Sequence, residues 1–244
     1  MVIVENITKE FNGRKVLDNL SIEIRDGEII TIIGKSGIGK SVLLKSIVGL
    51  LRPEKGRIFI DDIPLVGENI YLLRRKIGFI FQKSALIESL NVGENIGLAL
   101  KYIRNMPAEE IRNRVIDALR KVELDPKVME LFPSNLSGGM LKRAAIARAI
   151  ILNPQYILYD EPTTGLDPIV SRTIEELIIN LNRKMKITSI IVTHDLNSAV
   201  GISDRIAMLS GGKITFLGST SDFMNSSNRD IIEFRSSYYL KTGE

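Results

Sequence analysis

Glu28-Ile29-Ile30-Thr31-Ile32-Ile33-Gly34-Lys35-Ser36-Gly37-Ile38-Gly39-Lys40-Ser41-Val42-Leu43-Leu44-Lys45-Ser46-Ile47-Val48 decides the fold. An apolar, β-branched run reads as a buried central strand, and a glycine-bearing loop follows it directly. The chain then continues as a helix that stops near Gly49 and Pro53. Strand, G-x-x-x-x-G-K-S loop and helix in that order form a phosphate cradle. The glycines let the backbone close on phosphate oxygens, and the helix presents unpaired N–H groups and its positive dipole end. Lys40 supplies a point charge for β and γ phosphates, and Ser41 a hydroxyl for Mg²⁺. A nucleotide is therefore the expected ligand.

Outward from that loop, short strand-like runs alternate with longer helix-like ones, which predicts an α/β fold with a largely parallel central sheet. Val2 to Ile7 and Leu20 to Ile24 read as strands near the start. Tyr156 to Tyr159 and Thr188 to Val192 read as buried strands with a helix between them from about Pro168 to Lys184. Between about Gln82 and Ser137 the pattern turns helical. Asn91 and Glu94 resemble a capping pair, Pro107 suits a first turn, and Ile111, Val115, Ala118, Leu119 and Val122 share one face. Arg205 to Leu209 and Lys213 to Leu217 flank Ser210-Gly211-Gly212 as a hairpin, and Ser219 to Glu233 reads as a helix.

The chain has 244 residues, 44% hydrophobic and 25% charged, and no cysteine, so disulfides and thiol nucleophiles are excluded. No run is long and apolar enough for a membrane span, and the start lacks signal-peptide features, so neither secretion nor spanning is expected. The net charge of +4 is spread over short groups such as Arg74-Arg75-Lys76, Lys142-Arg143 and Arg183-Lys184-Met185-Lys186 without interleaved aromatics. These read as solvated faces, and no nucleic-acid partner is expected.

Further chemistry sits at strand ends. Ile157-Leu158-Tyr159-Asp160-Glu161 ends an apolar strand in two adjacent carboxylates, and alternation along a strand lets them do different work. Asp160 is assigned to the Mg²⁺ shell and Glu161 to the attacking water as general base. His194, the only histidine, follows the strand ending at Thr193. Its position suits either a γ-phosphate contact or an ordinary surface or hydrogen-bonded core residue, and spacing leaves both open. Gln82 ends the strand-like Ile77–Phe81 and can reach metal or water. Phe11, before Asn12-Gly13, can stack on adenine with Val16 beside it, or simply pack. Leu136-Ser137-Gly138-Gly139-Met140 opens a helix and offers a second set of amides, which points to sites shared between two chains.

Taken in this order, the motifs resemble the ATP-binding subunit of ABC transporters over essentially the whole chain. The match runs through Phe11, Gly34 to Ser41, Gln82, Leu136 to Met140, Asp160-Glu161, Asp167 of Thr164-Gly165-Leu166-Asp167, and His194. Met140 stands where the family more often has glutamine. The resemblance implies one domain over residues 1–244: a P-loop NTPase, RecA-like core from about 1–85 and 155–244 with an N-terminal antiparallel β part, and an inserted helical subdomain from about 86–154. It implies ATP and Mg²⁺ as cofactors and catalytic roles for Lys40, Gln82, Glu161 and His194. Nucleotide contacts are implied for Phe11, Val16, Ser36, Gly37, Ile38, Gly39, Lys40, Ser41, Val42, Ser137, Gly138, Gly139 and Asp167. Ser41, Gln82 and Asp160 are the implied metal ligands.

A narrower likeness, carried by Ser41–Lys45, Ser84–Asn95, Leu136–Ala144, Tyr159–Ile169 and Asp204–Leu209, is to the Mla lipid-transport branch. The family implies a head-to-tail ATP-sandwich dimer, and that branch implies an integral permease, commonly with a STAS-domain protein and an MCE lipid-binding protein. The expected location is the cytoplasmic face of the inner, or cell, membrane, held there through the permease. An importer of polar solutes, or an ABC ATPase acting on nucleic acid or ribosomes, is the rival reading.

Overall fold

A computed structural model describes residues 1–104 and 106–242. The chain divides into two compact units, one made of Met1–Arg74 with Ile187–Glu244 and the other of Arg75–Lys186. In chain order, the first stretch carries β1 (Val2–Phe11), β2 (Arg14–Ile24), β3 (Ile29–Ile33), α1 (Lys40–Ile47), β4 (Lys55–Ile60), β5 (Ile63–Pro64) and α2 (Asn69–Arg74). The middle stretch carries β6 (Ile77–Ile80), α3 (Val92–Arg104), α4 (Ala108–Lys121), α5 (Gly138–Ile150), β7 (Tyr156–Asp160) and α6 (Pro168–Met185). The last carries β8 (Thr188–Thr193), α7 (Leu196–Ile202), β9 (Arg205–Ser210), β10 (Lys213–Ser219), α8 (Thr220–Met224) and α9 (Arg229–Thr242).

In the first unit, β1 pairs antiparallel with β2 and β4, with Val2 opposite both Ile24 and Ile60. The β1–β2 turn is Asn12-Gly13, both at positive φ, the backbone that a two-residue hairpin requires. A second sheet is built on β3, whose five residues are all buried. Its β-branched side chains fill both faces, so it lies parallel to β8 on one side and β9 on the other. The β9–β10 hairpin closes across Gly211-Gly212 as the sequence predicts. The start of β9 is tied twice: the Asp204 carboxylate accepts from the Ile29 amide (2.8 Å), and Arg205 Nη1 reaches both oxygens of the buried Glu28 (3.1 and 3.2 Å).

In the second unit, β6 and β7 run parallel, Ile77 opposite Tyr156 and Ile80 opposite Tyr159. The Asn91–Glu94 pair caps α3 reciprocally: the Asn91 amide donates to the Glu94 carboxylate (2.9 Å) and the Glu94 amide to Asn91 Oδ1 (2.8 Å). On α4, Val115, Ala118 and Leu119 are buried, the face that periodicity predicts. Asn95 is buried and fastens the preceding loop through Ile87 and the carbonyls of Leu90 and Asn91. The fold is thus α/β, with mostly parallel pairing around β3 and in β6–β7, an antiparallel N-terminal sheet and a helical region.

Three features depart from expectation. β1 and β2 run four and six residues beyond the predicted strands, because the Asn-Gly turn extends the ladder. β4, β5 and α2 are additional elements. The tail forms two helices rather than one, since α8 ends at Asn225 and Asn228 opens α9 by accepting from the Asp230 amide (2.9 Å).

Candidate functional site

The phosphate loop leaves the buried end of β3 and enters α1 at Lys40. Gly39 precedes the helix at φ 115°, and a Cβ there would stand 2.9 Å from Val16 Cγ1, so close approach and backbone sign both require glycine. Val16, read from the sequence as lying beside Phe11, is thereby placed against the phosphate loop. Lys40 is buried, and its ammonium donates to the Gly34 (2.8 Å) and Lys35 (3.2 Å) carbonyls, which folds it into the curl of its own loop. Ser36 and Gly37 are exposed on that curl, while Ile38, Ser41 and Val42 are half-buried. Backbone amides at the start of α1, a buried ammonium and a hydroxyl suit a polyphosphate.

His194 belongs to the same neighbourhood. Thr193 is the register partner of Ile33 on adjacent parallel strands, so His194 and Gly34 are the next residues along β8 and β3. The imidazole-bearing residue is exposed there. Asp195 then caps α7, accepting from the Ser198 amide (2.8 Å), and accepts from the Tyr238 hydroxyl of α9 (3.2 Å). Phe11 stands at the hairpin tip, 43% exposed, with the Lys9 ammonium 5.2 Å from its ring centre.

The second unit holds the remaining candidates. Asp160 closes β7 and Glu161 follows; both carboxylates are buried. Glu161 sits at φ 50°, a left-handed backbone that strains a residue other than glycine and turns the chain sharply after the strand. The Thr164 hydroxyl donates to its Oε2 (3.1 Å). Gln82, just past β6, is exposed, and its carbonyl accepts from the Lys142 ammonium (2.5 Å).

Ser137 caps α5 by accepting from the Met140 amide (3.3 Å), and Ser137 and Gly138 are exposed. A Cβ on Gly139 would lie 2.7 Å from Val170 Cγ1 of α6, so the signature turn and α6 pack backbone against side chain. Asp167 caps α6 through the Val170 amide (2.9 Å) and is exposed. The signature segment and the Asp167 loop are therefore neighbours within one chain.

Sequence reasoning overlooked the residues that hold these groups. Lys142, read as part of a solvated face, is 5% exposed. Burial pushes its ammonium below the usual lysine range, while the nearby Asp160 and Glu161 carboxylates push the other way. Arg148 is likewise lowered by burial, and its guanidinium donates to the Ser84 (2.9 Å) and Ala85 (2.6 Å) carbonyls. Arg74 and Arg143 also turn inward, onto the carbonyls of Val48 and Gly49 and of Val122. The available signal was the helix itself: Ala144-Ala145-Ile146-Ala147 marks α5 as buried, and a cation within such a helix has to find acceptors.

The ABC transporter family model matches residues 17–164. The chain is 40% identical over 232 residues to the methionine import ATP-binding protein MetN of Carboxydothermus hydrogenoformans, across 92% of this chain and 68% of that protein. It is 37% identical over 237 residues to the intermembrane phospholipid transport system ATP-binding protein MlaF of Haemophilus influenzae, across 96% and 89%. Among solved structures it is similar to an ATP-binding cassette captured as a dimer in a post-hydrolysis state bound to ADP and Pi. There the TM-score is 0.82 at 37% identity, covering 90% of this chain and 99% of that one. The chain accordingly belongs to the ABC transporter family, as an ATP-binding, ATP-hydrolysing subunit.

Proposed function

We propose that this subunit drives a lipid-moving permease of the Mla type, using ATP bound by the phosphate loop and hydrolysed at the Asp160–Glu161 strand end. The observation that carries the hydrolytic reading is the buried carboxylate pair, with Glu161 turned by a strained backbone and held by Thr164. Lys40 and the amides of Ser36 to Val42 bind the phosphates, and Phe11 and Val16 receive the adenine. Ser41, Gln82 and Asp160 are oxygen donors of the kind Mg²⁺ prefers; the ion supplies charge neutralisation across the phosphates. Glu161 takes the proton of the water that attacks the γ phosphorus, ADP and phosphate leave, and His194 orients the γ phosphate.

Ser137, Gly138, Gly139 and Asp167 are read as facing the nucleotide of a second copy, a reading supported by the exposure of Ser137, Gly138 and Asp167 and by the dimeric relative. Within each chain the two units act as one ATP-binding domain, with the helical region turning as the dimer closes. The permease receives that motion, with a STAS-domain and an MCE protein as further partners on the cytoplasmic face of the cell membrane. Among the described residues no helix is long and apolar enough to cross a membrane itself. The lipid reading is supported by the likeness to MlaF, which runs nearly end to end in both proteins. The higher identity to a methionine importer favours a polar-solute importer as the second reading.

Glu161→Gln is expected to keep ATP binding while phosphate release falls about 100-fold or more, trapping a dimer. Undiminished turnover would defeat the assignment. Ser137→Arg is expected to abolish turnover yet leave monomer binding intact, and surviving activity would end the shared-site reading. Cargo is tested by purifying the tagged protein from detergent-solubilised native membranes and identifying chains and lipids by mass spectrometry. A permease with MCE and STAS partners and enriched phospholipid supports lipid transport; a permease with a soluble solute-binding protein replaces it.

A further inference from the structure

We propose that Lys142 is a positioning residue for hydrolysis: from the helix that Ser137 caps, its ammonium holds the Gln82 carbonyl, so that the signature turn and the Gln82 loop move as one piece. The proposal rests on the reading of Gln82 and Glu161 as hydrolytic groups.

A lysine ammonium is costly to bury unless it is hydrogen-bonded and faces opposite charge. Lys142 meets both conditions. It lies in α5 with the buried Ala144, Ala145, Ile146 and Ala147, donates to Gln82 O at 2.5 Å, and has two buried carboxylates near it. The loop it grips has unusual local geometry. Ser84 and Ala85 stand at φ 54° and 50°, successive left-handed residues without a glycine, a conformation that surrounding contacts must hold in place.

Arg148 supplies such contacts six residues further along α5, one guanidinium fork reaching the carbonyls of both residues. Three carbonyls of the segment 82–85 are therefore fastened to one 13-residue helix whose first turn is the exposed signature. A helix transmits displacement along its axis with little give, so engagement of Ser137 by a second chain shifts Gln82. In this way the water and metal side of the site is set only when the partner is in place.

The test compares Lys142→Met, which keeps the stem and removes the donor and charge, with Lys142→Arg, which restores both. Full-length proteins are assayed for steady-state ATP turnover, KM for ATP, nucleotide binding and melting temperature. Lys142→Met is expected to lose about 10-fold or more in kcat with KM changed by about twofold or less, and Lys142→Arg to recover to within about threefold. A Lys142→Met protein that turns over within about twofold of the parent overturns the proposal, as does an equal fall in both variants.

Should Lys142→Met fail to fold, Arg148→Lys reads the same tether by replacing the fork with a single ammonium. A kcat lower by about threefold or more at unchanged KM supports it, and unchanged kcat overturns it. Glu161→Gln runs alongside. Parental turnover in that variant would sink the hydrolytic reading itself, whereas an inactive Glu161→Gln beside a fully active Lys142→Met removes only the tether.

Discussion

A methyl group added at Gly139 would stand 2.7 Å from Val170 Cγ1, well inside ordinary contact distance. Gly139→Ala is therefore expected to destabilise the chain by about 1–3 kcal/mol, read from chemical denaturation, with Val170→Ala restoring part of the loss in a double-mutant cycle. At this scale the sequence is most legible where chemistry is local in the chain. Lys40, Ser41, Asp160 and Glu161 announce themselves because loop, helix start and strand end are contiguous with them. Lys142 does not, because whether a lysine is buried depends on what packs over its helix. Thr164 is equally silent: its bond to Glu161 needs the sharp left-handed turn between them, which no residue type there advertises.

Among elements, the tie between β9 and β3 is the most testable. Arg205 Nη1 meets both oxygens of Glu28, with side-chain exposures of 15% and 8%. Arg205→Met would leave the buried Glu28 carboxylate with the Arg25 amide but without its charged partner, and a loss of about 3–5 kcal/mol is expected in thermal or denaturant unfolding. Glu28→Gln in the same chain is expected to recover part of it, since the remaining group is then neutral. Elements with a strong period are readable in advance: β3, β7 and β8 as apolar runs, α4 and α6 as amphipathic helices, and β9–β10 by its Gly-Gly turn. β4 and α2 are not, because Lys55-Gly56-Arg57-Ile58-Phe59-Ile60 shows little alternation and α2 spans only six residues. The α8–α9 break was hidden for a related reason: the Ser226 and Asn228 side chains that interrupt the helix also occur within helices.

At the level of the whole molecule, the first unit is assembled from the two ends of the chain and the second is an uninterrupted insertion. β3, from which the phosphate loop springs, has β8 and β9 as its sheet partners, and both follow that insertion. A chain ended at Lys186 is thus expected to bind no ATP in a fluorescent-nucleotide titration, although its P-loop sequence is intact. The same topology sets a timetable for biosynthesis. At about 5–20 residues per second, a ribosome leaves Ile29-Ile30-Thr31-Ile32-Ile33 without its neighbours for on the order of ten seconds while the insertion is made. That run is uncharged, β-branched and free of proline, the composition of an aggregation-prone segment. Yield in a cell is therefore expected to rise when chaperone supply is raised during that interval, as soluble protein recovered with and without co-expressed chaperones would show.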